Sequence, residues 1–277
     1  MALRGQKSLK KFRVACLQTN AGQNWRINLR RLRTQMKLAL VRKPHLIALP
    51  EMFCWRGPSR HLSRIAFEAT PLVIEEFRGF AQANKTAVLL GSLLEPGPGR
   101  KFYNTSILIS SSGKIAARYR KIHLFDNHLK NAKSCESRHI TPGRKAVTSK
   151  SGGVRVGLAI CYDLRFPELF RLLARKGARI IFLPSNFTFE TGKAHWEILL
   201  RARAIENQVF MIAPAQTGIH PSTRIRSFGT SLIVDPWGKV LRKGRRAGEQ
   251  ILIADLDLTG QTFLRKSFPV LAHRVLA

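Results

Sequence analysis

A chain of 277 residues, 44% of them hydrophobic, has globular composition and room for one large α/β domain or two ordinary ones. No apolar stretch reaches the ~18 residues of a membrane-spanning helix, and four cysteines without C-x-x-C spacing exclude a thioredoxin-like motif and a cysteine zinc site. The 48 Lys and Arg against 16 Asp and Glu leave a formal net charge of +32, but they run through every segment, with no interleaved stacking aromatics and no helix-turn-helix, zinc-finger or RNA-recognition pattern. Such a surface predicts non-specific attraction to polyanions rather than a dedicated nucleic-acid site. The scattered cysteines predict reduced thiols and a cytoplasmic protein. In so basic a chain the acids stand out, and Glu51, Glu136, Asp163 and Glu168 invite attention.

The opening "MALRGQKSLKKFR" is basic without the apolar core of a secretory signal, and a strand-like "FRVACLQTN" starts at Phe12, too early to leave room for a transit peptide. Residues 1–11 are therefore expected to be a basic extension and 12–277 a single domain. In "NWRINLRRLRTQMKLALVRK", Leu29, Leu32, Met36 and Leu40 recur at helical spacing. "HLIALPEMF" is a short strand closing at Glu51, which completes a β-α-β unit with parallel strands. "TPLVIEEFRGFAQANK" predicts a helix with Thr70 as N-cap and Pro71 at its first position. A strand "TAVLLGSLLE", a Pro/Gly loop, and two strands around "SSGK" follow. Residues 126–150 are polar and read as a long loop over one end of the sheet.

The second half repeats the plan. "VRVGLAI" is a strand, "FPELFRLLARKG" a helix, "ARIIFLPSNF" a strand, "GKAHWEILLRARAIEN" a helix and "QVFMIAPAQTG" a strand. A hairpin turns at Asp235–Gly238, "EQILIADLDL" is a last strand, and a tail follows. Two such units predict an α/β fold in which two sheets pack face to face with helices outside each: a four-layer α-β-β-α sandwich, in one domain.

Three reactive side chains fall at predicted strand ends, where α/β proteins gather function: Glu51, Lys121 and Cys161. Cys161 precedes a helix, whose N-terminal amides and dipole would favour a thiolate, although a free cysteine is also an ordinary core residue. Glu51 is either a buried base or an exposed strand-end acid. Lys121 shares a strand face with Ile115, Ala117 and Tyr119, so it either points inward or snorkels out at the strand's end. Together they would form a nucleophile, a proton carrier and an oxyanion-binding cation. A rival arrangement pairs Cys161 with His123 or His195.

"LIALPEMF", "YRKIHLF" and "GLAICYDLRFPELFR" resemble the three signature segments of the nitrilase superfamily, the carbon–nitrogen hydrolases. "ESRHITPG", "HWEILLRARAIENQ", "VDPWG" and "FPVLAHR" extend the likeness, in the family's order, over nearly the whole chain. The resemblance implies the four-layer sandwich, a catalytic triad of Cys161, Glu51 and Lys121 with Glu136 as a second glutamate, no cofactor or metal, and a homodimer or higher homo-oligomer. It implies a thioester mechanism on a small-molecule amide, with the Tyr162 amide at the oxyanion. "CYDLRFPE" is most similar to the ω-amidase and deaminated-glutathione amidase branch, whose substrates carry a carboxylate. Arg165 is then a candidate carboxylate clamp, unless it pairs with Glu168 or Asp163. Asn186 and Phe187 are expected to line the pocket. An N-carbamoyl amino acid hydrolase or a nitrilase would use the same triad. A basic nucleic-acid-binding protein on an inactive scaffold is the alternative of another class.

Overall fold

The computed structural model describes residues 9–128 and 134–275. In chain order the elements are β1 (Lys11–Gln18), α1 (Trp25–Leu40), β2 (Leu46–Ala48), α2 (Leu62–Arg64), α3 (Thr70–Asn84), β3 (Ala87–Pro96), β4 (Phe102–Ile109) and β5 (Ile115–Arg120). Then come β6 (Asp126–Asn127), β7 (Ser134–Cys135), β8 (Val147–Ser151), β9 (Val154–Leu158), α4 (Pro167–Arg175), β10 (Ile180–Phe182) and α5 (Phe189–Asn207). The chain closes with β11 (Phe210–Ala213), β12 (Leu232–Val234), β13 (Val240–Lys243), β14 (Gln250–Asp257) and α6 (Leu258–Ser267).

Two six-stranded sheets result, ordered β14-β1-β2-β3-β4-β5 and β13-β12-β11-β10-β9-β8. In each, the inner strands β1-β2-β3 or β9-β10-β11 are parallel and the flanking strands antiparallel. Alternation along β1 shows how the layers form. Phe12, Val14 and Cys16 pack between the sheets, while Ala15 and Leu17 pack against Leu29, Leu32 and Met36 of α1. The second sheet buries its other face under Leu169, Phe170 and Leu173 of α4 and Trp196, Leu200 and Ala204 of α5. The inner strands of each sheet are thus buried on both faces, which is why they read as continuous apolar runs. The fold is the expected α-β-β-α sandwich.

Helix α1 starts where Asn24 accepts hydrogen bonds from the amides of Arg26 and Ile27. Thr70 is not the N-cap expected of it. It has helical dihedrals, is buried, and lies within a longer helical stretch that begins at α2 and passes through a π turn at Ile65–Ala69. The Thr70 amide reaches back five residues to the Ile65 carbonyl. That widened turn comes just before Pro71, which has no amide to give.

The segment 126–150 is less irregular than its composition predicts. It carries the short pair β6–β7 and the edge strand β8, which pairs antiparallel with β9. "VTSKS" is polar and only partly buried, so no apolar alternation marks it. The tail likewise holds α6, capped by Asp257, whose carboxylate accepts from the Gly260 amide at 3.0 Å. Lys11, assigned to the extension, pairs with Asp257 as the first residue of β1; residues 1–8 of that extension lie outside the described residues.

Candidate active site

The turn after β2 places Glu51. Leu49 continues the pairing by donating to the Leu89 carbonyl at 3.0 Å, and the chain then bends at Pro50. Gly91 makes that bend possible, since a Cβ there would lie 1.9 Å from the Leu49 carbonyl oxygen. Met52 adopts left-handed backbone (φ 51°), and its amide donates to Ser92 Oγ at 3.0 Å. From the second sheet, Gln216 Nε2 donates to the carbonyls of both Glu51 and Met52, each at 3.1 Å.

Lys121 leaves the end of β5 on the inward face with Tyr119, while Arg118 and Arg120 point outward. Its side chain is 2% exposed. Nζ donates to Glu51 Oε1 at 3.0 Å and to Glu136 Oε2 at 2.8 Å. Burial alone would push this ammonium down, but the charges of Glu136 and then Glu51 outweigh it and hold the lysine well above its usual range. Asn104 Nδ2 bridges the same two carboxylates, at 3.0 Å to Glu51 and 3.2 Å to Glu136. The Phe125 amide binds Glu136 Oε2 at 2.8 Å.

Cys161 follows β9, its amide bonded to the Pro184 carbonyl at 3.0 Å and its own backbone left-handed (φ 48°). The elbow is held by Asp163, a fully buried carboxylate with four donors. Oδ2 accepts from the Ile160 amide at 2.8 Å and the Tyr119 hydroxyl at 2.7 Å. Oδ1 faces the His123 amide at 3.1 Å and His123 Nδ1 at 2.7 Å. The Cys161 thiol lines one cavity with Glu51 and Asn186, and both act on it electrostatically. The Asn186 amide donates to Glu51 Oε2 at 2.8 Å.

The expected thiolate is not what this setting favours. Helix α4 begins only at Pro167, after an intervening 3₁₀ turn, so its dipole end is not at the sulfur. Burial first, then the Glu51 charge, push the thiol well up, against the opposing pull of Lys121. In this setting Cys161 is a neutral thiol with a carboxylate as its neighbour.

A cavity of about 530 Å³ is lined by Cys161, Glu51, Lys121, Glu136, Asn104 and Asn186, with Met52, Trp55, Leu94, Phe125 and Ile140 supplying apolar wall. Tyr162, Arg165 and Phe187 lie beside it rather than on its lining. They form a stack of their own: the Arg165 guanidinium sits 5.1 Å from the Tyr162 ring and 4.8 Å from the Phe187 ring. Among the described residues Arg165 makes no ion pair with Glu168 or Asp163; its Nη2 meets His195 Nδ1 at 3.3 Å. The rival Cys–His pairing has no geometry behind it, since His123 faces Asp163, His195 faces Arg165, and neither lines the cavity.

Asn104 and Gln216 escaped sequence reading as parts of the site, and Asp163, singled out as an acid, was not read as the anchor of the elbow. Asn104 left one trace: it falls on the same strand face as Leu108, where an apolar residue is expected.

Residues 13–266 match the family model described as carbon-nitrogen hydrolase. The chain belongs to the carbon–nitrogen hydrolase family. It is similar to a deaminated glutathione amidase of Dictyostelium discoideum, with 39% identity over 274 residues covering 95% of this chain and 94% of that protein. Among solved structures it superposes on Saccharomyces cerevisiae Nit3, a member of branch 10 of the nitrilase superfamily, with a TM-score of 0.86 and 31% identity over 96% of this chain and 97% of that one. The Caenorhabditis elegans NitFhit protein gives a TM-score of 0.90 and 34% identity over 96% of this chain and 65% of that chain. As a carbon–nitrogen hydrolase the protein is an enzyme, and a cysteine thioester mechanism is general to its family.

Proposed function

We propose that the protein hydrolyses the amide of a small carboxylate-bearing molecule to acid and ammonia, with Cys161 as nucleophile, Glu51 as proton carrier, and Lys121 as the cation at the oxyanion. The observation that carries this reading is the convergence at one cavity: Cys161, Glu51 and Lys121 all line it, with the Lys121 ammonium hydrogen-bonded to Glu51 and the Glu51 charge acting on the Cys161 thiol. The amide specificity rests on relatives that are deaminated glutathione amidases.

The thiol proton passes to Glu51 as sulfur attacks the amide carbon, and the carbonyl oxygen takes the negative charge beside Lys121 and the Tyr162 amide. Glu51 then delivers the proton to the departing nitrogen, the C–N bond breaks, and ammonia leaves a Cys161 thioester. Water enters, loses a proton to Glu51 and attacks the thioester. The acid departs and the proton returns to sulfur. Glu136 holds Lys121 in place, with Asn104 tying the two carboxylates together.

The catalytic domain in this reading starts with β1 at Lys11, and the protein works in the cytoplasm as a homodimer. Exposed Ile198 and Ile205 on α5, with Leu172 on α4, support pairing through those helices. Ammonia release from amides, nitriles and carbamoyl amino acids, read together with intact mass, tests the reading. An acyl adduct at Cys161 with amides supports it; preserved turnover in Cys161→Ala defeats it. Light scattering tests the dimer, and gel shift at moderate salt separates generic charge attraction from real nucleic-acid binding.

A further inference from the structure

The cavity wall contains a second buried cation, one that the mechanism does not use. Arg56 follows the Glu51 turn, is 2% exposed, and lines the same cavity. Its guanidinium has five N–H donors. Nε donates to the Ala21 carbonyl at 2.9 Å, and Nη1 to Ser227 Oγ at 2.8 Å. Nη2 donates to Asn20 Oδ1 at 2.6 Å and to the Thr217 carbonyl at 3.0 Å. All four acceptors are neutral, one Nη1–H is uncommitted, and no carboxylate among the described residues pairs with it. A buried charge without a counter-ion is expensive unless something else compensates it.

Its surroundings are arranged for an anion. His220 lines the same cavity, and its Nδ1 accepts from the amides of Ser222 and Thr223, each at 3.2 Å. That tautomer leaves Nε2–H as a donor. Burial, then the charge of Arg56, push this imidazole down to about 4, so it is neutral at pH 7. Ser59, Ser222 and Thr223 line the cavity beside them. Arg56 is also wired to the reaction centre. Ser227 Oγ, which accepts from Arg56, donates to Asn186 Oδ1 at 2.6 Å, and the Asn186 amide holds Glu51. Arg165 is excluded from the cavity lining and occupied with two aromatic faces, so Arg56 is the guanidinium facing that space.

We infer that Arg56, with His220 at its side, is the anion subsite of the substrate cavity, which takes the carboxylate of an ω-amide and so selects acidic amides over neutral ones. This rests on the amidase reading above. A bound carboxylate supplies the missing counter-ion and the acceptor for the free Nη1–H.

The test compares succinamate with butyramide, an uncharged amide of the same length. Arg56→Gln is expected to lower kcat/KM for succinamate about tenfold more than it lowers kcat/KM for butyramide, the difference lying in KM. Arg56→Lys, which keeps the charge, restores most of the preference. An equal fall on both amides overturns the inference and makes Arg56 a cross-brace between loops. If Arg56→Gln does not fold, wild-type enzyme decides against methyl succinamate: equal kcat/KM for the ester and the free acid sinks the subsite, and a preference of about tenfold for the acid upholds it. Absence of ammonia release from every amide is failure of the amidase reading instead. Calorimetric binding of succinate to Cys161→Ala protein, with and without Arg56→Gln, then judges the subsite alone. Loss of succinate binding with Arg56→Gln supports it, and unchanged binding overturns it.

Discussion

The two sheets contain nearly the same turn, used in opposite ways. "LIALPEMF" leaves β2 and "IIFLPSNF" leaves β10. In each, the leucine continues the sheet by donating to the next strand, Leu49 to Leu89 and Leu183 to Ile212. In each, proline then bends the chain toward the seam between the sheets. Glu51 stands in the first turn where Ser185 stands in the second. The carboxylate enters the cavity and collects donors from Asn104, Lys121 and Asn186. The Ser185 hydroxyl instead turns back to the Leu183 carbonyl at 3.0 Å, and the next amide, that of Asn186, serves Glu51. One turn supplies the acceptor and the other a donor. A repeated backbone plan offers equivalent strand-end positions, and single residues divide the chemistry between them.

The sharpest way to break this division is to make the turns alike. Glu51→Ser gives the first turn the second turn's residue, and we expect turnover to fall about 10³-fold or more with the fold retained, measured by ammonia release and circular dichroism. Removing Asn104 attacks the acceptor side only. Asn104→Leu takes away the bridge between Glu51 and Glu136, and kcat should drop about tenfold to a hundredfold, with KM changing less.

On the nucleophile side the expected effects concern stability and reactivity. Asp163→Asn removes the charge that four donors converge on, and should lower stability by about 3 kcal/mol in denaturant titration, more than Tyr119→Phe at about 1 kcal/mol. Thiol labelling should rank the cysteines. Exposed Cys135 reacts first. Cys161, pushed up by burial and Glu51, reacts slowly at pH 7 and faster as pH rises. Cys16 and Cys54, both raised by burial and the latter to about 12, react only in denaturant. Fast Cys161 alkylation at pH 6 would show a thiolate at rest and overturn the neutral-thiol picture.

His220 gives a modest pH effect. In the unfolded chain it protonates near 6.5, whereas in the native cavity it stays neutral down to about 4. The stability tied to its neutral form is therefore lost as pH falls from about 6.5 to about 4. His220→Gln should flatten that part of a pH–melting curve. Smallest of all, Asn24→Ala removes the α1 cap, remote from both turns, and should cost about 1 kcal/mol without altering kinetics.

Much of the frame was legible beforehand because the inner strands of both sheets are buried on both faces. Such strands appear as apolar runs ended by Pro or a polar residue, and the amphipathic stripe of α1 is plain. Strand β8 and helix α6 were not legible. One is a polar edge strand recognised only by its partner β9, and the other is a short helix whose apolar positions include exposed Phe263. Thr70 misled because local cap preferences took no account of the π turn running into Pro71.

By itself the sequence determined which residues could react. An acid after Leu49-Pro50, a lysine on the inward face of β5 and a cysteine after β9 are local facts of pattern, and the order of the motifs tied them to a family. The tertiary structure decided the state in which they meet. The cysteine is a neutral thiol because the fold buries it and then sets Glu51, from a segment 110 positions away, beside it, and the lysine stays charged because two carboxylates from two other loops outweigh its desolvation. Charge state in a dry cavity depends on which distant groups share it, and no local window of sequence contains that information.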